Sequence, residues 1–413
     1  KILFYCLLII SLFSYVNAGD ISWAKHTPAT GKFIWSGAGI SNDGGTLAVS
    51  AWNDYIYVSP DAGTTWKKNT PAGAKVTKGW NALSMSTDGK TIAVAAWNDF
   101  IYYSKDAGAK WSKLSPAGKD IKGWKAVSLS GDGTIILACA FNDYIYRSSD
   151  AGKTWSKLSP AGKNVTKGWN SVSSNKDGTV IFASAYNDYV YVSKDSGKTW
   201  SQKTPAGKNS KGWIAVNCSE DGKILSAIAY NDFLYISKDT GSTWSKKSPA
   251  GSVKGWTASS MSSDGAKLAV SAANDYIYTS KDGGSKWEKH DPANAKTGSN
   301  WLAVFISGTG TRLITGNENG NVYSGTSASV PWQVVFGASE GGSLLENAKQ
   351  NVLNGADALP VTSIPNPGYD FIGWSGDVND TTNPIIIRKV KKSMKITANF
   401  ALKTYKVIFD TDG

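Results

Sequence analysis

The residues best placed to do chemistry in this 413-residue chain are aromatic–Asn–Asp triplets that recur along it. They read Trp52-Asn53-Asp54, Trp97-Asn98-Asp99, Phe141-Asn142-Asp143, Tyr186-Asn187-Asp188 and Tyr230-Asn231-Asp232; Asn274-Asp275 follows without the aromatic. Aromatic faces stack on sugar rings, and Asn and Asp sort hydroxyls through paired donors and acceptors. The chemistry is therefore recognition, repeated from site to site. A Gly-Trp begins close to each triplet, which adds Trp80, Trp124, Trp169, Trp213 and Trp256 as candidate ligand-binding rings. Lysines stand beside them: Lys75 and Lys78, Lys119 and Lys122, Lys163 and Lys167, Lys208 and Lys211, and Lys254. A structural role competes at each position. Asn-Asp is a good type I′ hairpin turn, the Trp series suits packing between repeats, and the lysines suit a solvated face.

Catalysis finds less support. Glycan hydrolysis needs one unique pair of carboxylates, and near-identical repeats offer no break of symmetry to make it. The only Glu before residue 330 are Glu220, Glu288 and Glu318. The two histidines, His26 and His290, occupy non-equivalent loop or strand-end positions. No zinc, phosphate-loop or nucleophile-elbow motif is present, so neither metal nor cofactor is expected.

The triplets are held in register by a second, stricter pattern. The octapeptide Ser-x-Asp-x-Gly-x-x-Trp begins at Ser59, Ser104, Ser148, Ser193, Ser237 and Ser280, at steps of 45, 44, 45, 44 and 43 residues. A fixed period in this range marks stacked supersecondary units. One unit reads as four short strands: Trp80 to Ser86, a turn at Asp88-Gly89, Thr91 to Trp97, the Asn98-Asp99 turn, Phe100 to Ser104, then the octapeptide leading into Lys110 to Leu114. The composition, rich in Trp, Tyr and Gly, agrees with strands and turns.

The octapeptide resembles the Asp box of the sialidase-type (BNR) repeat, a hairpin motif of β-propeller blades. The resemblance implies an all-β fold, a seven-bladed β-propeller of four-stranded blades. Seven first strands begin at Trp35, Trp80, Trp124, Trp169, Trp213, Trp256 and Trp301, against six boxes. The stretch Ile21-Ser-Trp23-Ala-Lys-His26 matches a fourth strand, with Trp23 43 residues before Trp66. The N-terminal strand is therefore expected to complete the last blade, closing the ring and removing two open edges. In families with this motif the box is structural, so Asp61, Asp106, Asp150, Asp195, Asp239 and Asp282 are assigned to the scaffold. Their Ser and Asp bond turn amides and their Gly takes a positive φ. Sialidases clamp a carboxylate with three Arg; only Arg147 and Arg312 fall in the propeller, and Lys cannot replace bidentate binding without loss. The sialidase catalytic residues do not carry over.

After the propeller, Asn366-Pro-Gly-Tyr-Asp-Phe-Ile-Gly-Trp374-Ser-Gly-Asp377 is similar to the core of the divergent internalin-type B-repeat, a small β-grasp-like module of bacterial surface and secreted proteins. Trp374 is expected in its core, with Gly373 and Gly376 at turns. Trp332 to Phe336 resembles Tyr405 to Phe409, as if a second copy began there and were cut short. The domain reading is 1–18 signal peptide, 19–330 propeller, 331–402 B-repeat module and 403–413 the start of a second. The apolar opening with Val16 and Ala18 reads as a secretory signal, with an uncleaved anchor as the alternative; no other stretch could span a membrane. Cys139 and Cys218 are read first as free buried thiols, with a disulfide between them the open alternative.

Net charge is +12, with Arg147, Arg312 and Arg388 the only Arg among 44 basic residues. A basic surface favours acidic partners; no specific nucleic-acid motif is seen. The functional expectation is a secreted or surface-associated, non-catalytic protein that binds glycans or an anionic cell-surface polymer at many sites. The alternatives are a protein-interaction scaffold or adhesin, and a glycoside hydrolase whose catalytic residues escape recognition.

Overall fold

The computed structural model describes residues 21–295, 298–327, 332–345, 347–352, 357–388, 390 and 392–407. The signal peptide expected at 1–18 lies outside the described residues. Ile21–Thr326 forms one compact unit, and a second begins at Ser327. Among the described residues there is no helix.

In the larger unit the repeat becomes a group of four antiparallel strands. After β1 (Ile21–His26), the first group is β2 (Trp35–Ile40), β3 (Leu47–Asp54), β4 (Ile56–Ser59) and β5 (Lys67–Asn69). The second is β6 (Lys78–Met85), β7 (Ile92–Asp99), β8 (Ile101–Ser104) and β9 (Ser112–Leu114). The pattern repeats as β10 to β13 between Lys122 and Leu158, β14 to β17 between Lys167 and Lys203, β18 to β21 between Lys211 and Lys247, and β22 to β25 between Lys254 and His290. The seventh group has three consecutive strands, β26 (Trp301–Ile306), β27 (Arg312–Asn317) and β28 (Val322–Ser327), and its fourth is β1, paired to β28. The N-terminal strand thus sits where its Trp spacing places it.

Burial explains the sequence of each strand. Second strands are buried on both faces and read as runs of small apolar residues, such as Ile92 to Ala96. Fourth strands show two exposed residues before a more buried one, as in β9. Small residues let neighbouring groups approach closely. Trp35 of the first group packs with Ala303, Ile314 and Val322 of the seventh. A Cβ on Gly316 would lie 2.5 Å from Trp35 Cβ, so only Gly fits. Backbone bonds tie group to group around the end that carries the first-to-second-strand turns: Asn42 N–H to Thr87 O (2.9 Å), Glu220 N–H to Ser263 O (2.8 Å) and Ser263 N–H to Gly308 O (2.9 Å). Thr309 Oγ1 then donates to Asn42 O (3.0 Å), joining seventh group to first.

The smaller unit has β29 (Trp332–Ala338), β30 (Gly342–Leu344), β31 (Lys349–Val352), β32 (Ser363–Pro365), β33 (Tyr369–Gly376) and β34 (Met394–Leu402). Its sheet runs β31-β29-β34-β33, with β29 and β34 parallel. Trp374 is buried among Val334, Phe336, Ile396 and Phe400, and its indole donates to Thr382 O (2.9 Å). Gly373 and Gly376 take φ of 131° and 106°. Residues 403–407 carry no strand, and 408–413 lie outside the described residues.

Candidate functional site

The aromatic–Asn–Asp triplets do not form two-residue type I′ turns. Ala51 N–H bonds Tyr55 O across three loop residues, Trp52, Asn53 and Asp54. Only the Asn takes a left-handed φ, between 51° and 56° in all six copies. Asn tolerates that region better than most residues because its short amide bonds locally. The Asn bulges out, and its two neighbours pair with the next group: Trp52 with Gly79 and Asp54 with Lys78, then Trp97 with Gly123 and Asp99 with Lys122. Each triplet is a splice between groups. It also places these loops beside the links from each fourth strand to the next first strand, on one face.

This splice decides which candidate residues are available. Trp80, Trp124, Trp169, Trp213 and Trp256 are 0–2% exposed. They offer no open face for a sugar, which corrects their reading as stacking shelves. Each meets the third-strand Tyr of its own group edge-on, as Trp80 meets Tyr102 at 5.4 Å. The indoles of Trp80, Trp124, Trp213 and Trp256 donate to the carbonyl of the preceding Asp, for example Trp124 to Asp99 O at 3.0 Å. Asp99, Asp143, Asp188 and Asp232 are buried as well, and Asp54 is half-buried. The carboxylates accept from Tyr hydroxyls: Tyr102 to Asp99 (3.2 Å), and likewise Tyr57, Tyr146, Tyr191, Tyr235 and Tyr278. Burial beside that charge pushes the Tyr102 phenol well above its ordinary range. A lysine completes five of these six clusters: Lys78 to Asp99 (2.6 Å), Lys122 to Asp143 (3.1 Å), Lys167 to Asp188 (2.8 Å), Lys211 to Asp232 (2.8 Å) and Lys254 to Asp275 (2.6 Å). Trp, Tyr, Asp and the second Lys of each link therefore form internal wiring.

What stays outside is the other half of each triplet. Asn53, Asn98, Asn142, Asn187 and Asn231 are exposed. Trp52 and Trp97 are half-exposed, and Phe141, Tyr186 and Tyr230 are 39%, 48% and 55% exposed. Each ring lies over the Gly of the next Lys-Gly-Trp, where a Cβ would be crowded: Trp97 over Gly123, Phe141 over Gly168. Trp97 and Phe141 come within 6.5 Å of each other, joining adjacent groups. The sequence had not singled out the apolar residues of the links. Ile34, Val76, Ile121, Val165 and Val253 are all exposed. Together with Phe141, Tyr186 and Tyr230 they are all the exposed large hydrophobics described between residues 21 and 327, and every one lies on this face. Their signal was visible as an apolar residue one or two places before Lys-Gly-Trp, or in Ile34 directly before Trp35, hidden by an otherwise polar link. Lys75, Lys119, Lys163 and Lys208 are exposed among them.

The opposite face holds the boxes, and their polar groups are satisfied internally. In the first, Ser59 donates to Asp61 (2.8 Å), Gly63 N–H to Ser59 Oγ (2.8 Å), Thr65 N–H to Asp61 (2.8 Å), and Trp66 to Gly63 O (3.1 Å). Asp106, Asp150, Asp195, Asp239 and Asp282 repeat this. The donated bonds hold Asp150 down at about 2. A parallel Ser-x-Asp-Gly motif at the first-to-second-strand turns, clear only at Asp88-Gly89 in the sequence reading, recurs as Ser86 to Asp88 (2.6 Å) and Ser130 to Asp132 (2.6 Å). The two histidines are equivalent after all, each ending a fourth strand three residues after its Trp. His26 bonds Ser324 Oγ (2.7 Å) and Gly63 O (3.0 Å); His290 bonds Thr279 (2.7 Å). Cys139 and Cys218 are free, with Cys139 buried and Cys218 only half-buried. Among the described residues no cluster of His, Cys, Asp and Glu could hold a metal ion.

Comparison with known proteins separates the two units again. Residues 332–404 match the divergent InlB B-repeat domain. In structure the chain is similar to YCF48 bound to D1 peptide (15% identity, TM-score 0.56, covering 73% of this chain and 96% of that one). It is similar also to YCF48 from Cyanidioschyzon merolae (15%, TM-score 0.57, 73% and 98%). The β-propeller domain of Cps50 (Swd1) from Myceliophteria thermophila aligns as well (12%, TM-score 0.57, 74% and 100%). No curated protein matches the chain in sequence. The sequence had suggested a BNR-type propeller; the family model that matches over residues 48–324 is of that type. The chain belongs to the family described as photosynthesis system II assembly factor YCF48.

Proposed function

We propose that this protein is a non-catalytic protein-binding scaffold whose docking surface is the face carrying the Asn loops. The observation that carries the reading is the gathering of the exposed large hydrophobics of residues 21–327 on that one face. Contiguous exposed apolar surface rimmed by polar residues marks interaction sites. One relative was captured with a peptide bound, which supports a protein segment as partner here. Burial of the Trp series removes the rings on which a glycan reading most depended. We also read the seven four-stranded groups as blades of one closed propeller, latched by β1, and the protein as exported through residues 1–18.

The test is selection of a displayed random peptide library on the protein, with a glycan array in parallel. Peptides should be enriched, and the double variant Tyr186→Ala/Tyr230→Ala should bind them at least about tenfold more weakly, because aromatic anchors dominate such surfaces. Enrichment on the glycan array alone, or peptide affinity unchanged in the variant, would refute the docking face.

A further inference from the structure

The first strands of all seven groups contribute to a cavity of about 260 Å³ near the docking face. One position on each strand, just after its Trp, faces this cavity in a regular way. Ser36 donates to Trp80 O, Asn81 to Trp124 O (2.9 Å), Asn170 to Trp213 O (2.9 Å) and Thr257 to Trp301 O (2.6 Å). Ile214 and Leu302 have no group to donate. Lys125 stands at the remaining position and breaks the series. Its Nζ lies 4.8 Å from the centroid of Trp97, a half-exposed ring of the docking face. Among the described residues it is the only ionisable side chain lining the cavity. Among the described residues no carboxylate lies within ion-pairing distance of it. This contrasts with Lys78, Lys122, Lys167, Lys211 and Lys254, each neutralised by its own Asp.

A half-desolvated ammonium without an anion is costly, and a ring face compensates it only in part. Burial accordingly holds the Lys125 pKa below its usual value. Its titratable neighbour, Cys139, supplies no charge, because burial pushes that thiol up to about 12. The first strands on either side bring the polar Asn81 and Asn170 to the same level. We propose that Lys125 anchors a carboxylate of the docked protein segment, in a subsite of this cavity entered beside Trp97. The carboxylate comes from an acidic side chain or from a chain end. The proposal rests on the docking reading and adds the chemistry of the partner.

Two measurements test it on the full chain. In the first, lysine Nζ groups are titrated by NMR with sodium acetate as the probe. One Nζ should titrate below the others, be missing in Lys125→Met, and titrate higher when acetate is added. In the second, binding of acetyl-hexaglutamate amide and of hexaglutamine ending in a free acid is measured by anisotropy. At least one should bind about tenfold or more weakly to Lys125→Met, the loss expected for one charge-assisted bond. Lys125→Arg should retain binding, and Lys119→Met, at an exposed lysine, should not alter it. Loss with the first peptide identifies a side-chain carboxylate; loss with the second identifies a chain end. An acetate-insensitive Lys125 together with equal affinities in Lys125→Met overturns the subsite, while the Tyr186/Tyr230 result would still decide the docking face by itself.

Discussion

Asp99 fixes three elements at once. Its carboxylate takes the Tyr102 hydroxyl and the Lys78 ammonium, and its carbonyl takes the Trp124 indole of the next group. Removing the cation leaves a buried carboxylate with one neutral donor. Lys78→Met should therefore destabilise the propeller by about 3 kcal/mol, read as a fall in the urea midpoint, whereas exposed Lys75→Met should leave it unchanged. The boxes make a second residue-scale prediction. Asp150 and Asp195 are held at about 2 against an ordinary 3.8. A carboxylate with a depressed folded pKa binds protons more readily when unfolded, so its stabilisation is complete above about 3.8 and disappears as the pH falls through about 2. Acid unfolding monitored by Trp fluorescence should fall in that window, and Asp150→Asn should lessen the stability lost across it without altering the docking face. At this scale the sequence was ambiguous in a physical sense. An Asn-Asp beside an aromatic fits a ligand shelf or a packed splice equally well, and only the ion pair from Lys78 and the burial of Trp80 separate the two.

The element that matters most is β1. It gives β28 a partner, and His26 ties it to its own group through Ser324 and to the first group through Gly63. Deleting residues 21–26 should expose the β28 edge and lower the melting temperature, with concentration-dependent association measured by light scattering. Burial lowers the His26 pKa below 6.5. A base with a depressed folded pKa favours the neutral form in the fold, so its contribution is intact above about 6.5 and is lost on acidification below it. The latch should loosen first as the pH falls below 6.5, with earlier amide exchange in β1 than in β7; equal exchange would contradict this. Elements were the most legible part of the sequence. The Trp period located every first strand, and the gap of one box placed Trp23 in the last group. The equivalence of His26 with His290 was missed because one ends the opening strand and the other an internal one. In the smaller unit Trp374 was readable as core through the resemblance of its motif to the B-repeat, and Trp374→Ala should unfold that module, costing about 3–5 kcal/mol.

At the scale of the whole molecule, repetition divides labour between two ends of the same strands. One end closes on itself through Ser–Asp turns whose donors and acceptors are consumed locally. The other end leaves rings, Asn side chains and link residues outside. Net charge of +12 adds a long-range preference for acidic partners. The sequence could not show this division by itself, because Ile121 and Val165 look like ordinary link residues until the fold exposes them on the same face as Phe141 and Tyr186. The most direct measurement is hydroxyl-radical footprinting of the protein with and without a selected peptide. The account predicts that Phe141, Tyr186 and Tyr230 lose reactivity on binding while Trp66, Trp111 and Trp155 of the boxes do not; protection confined to the box tryptophans would contradict it.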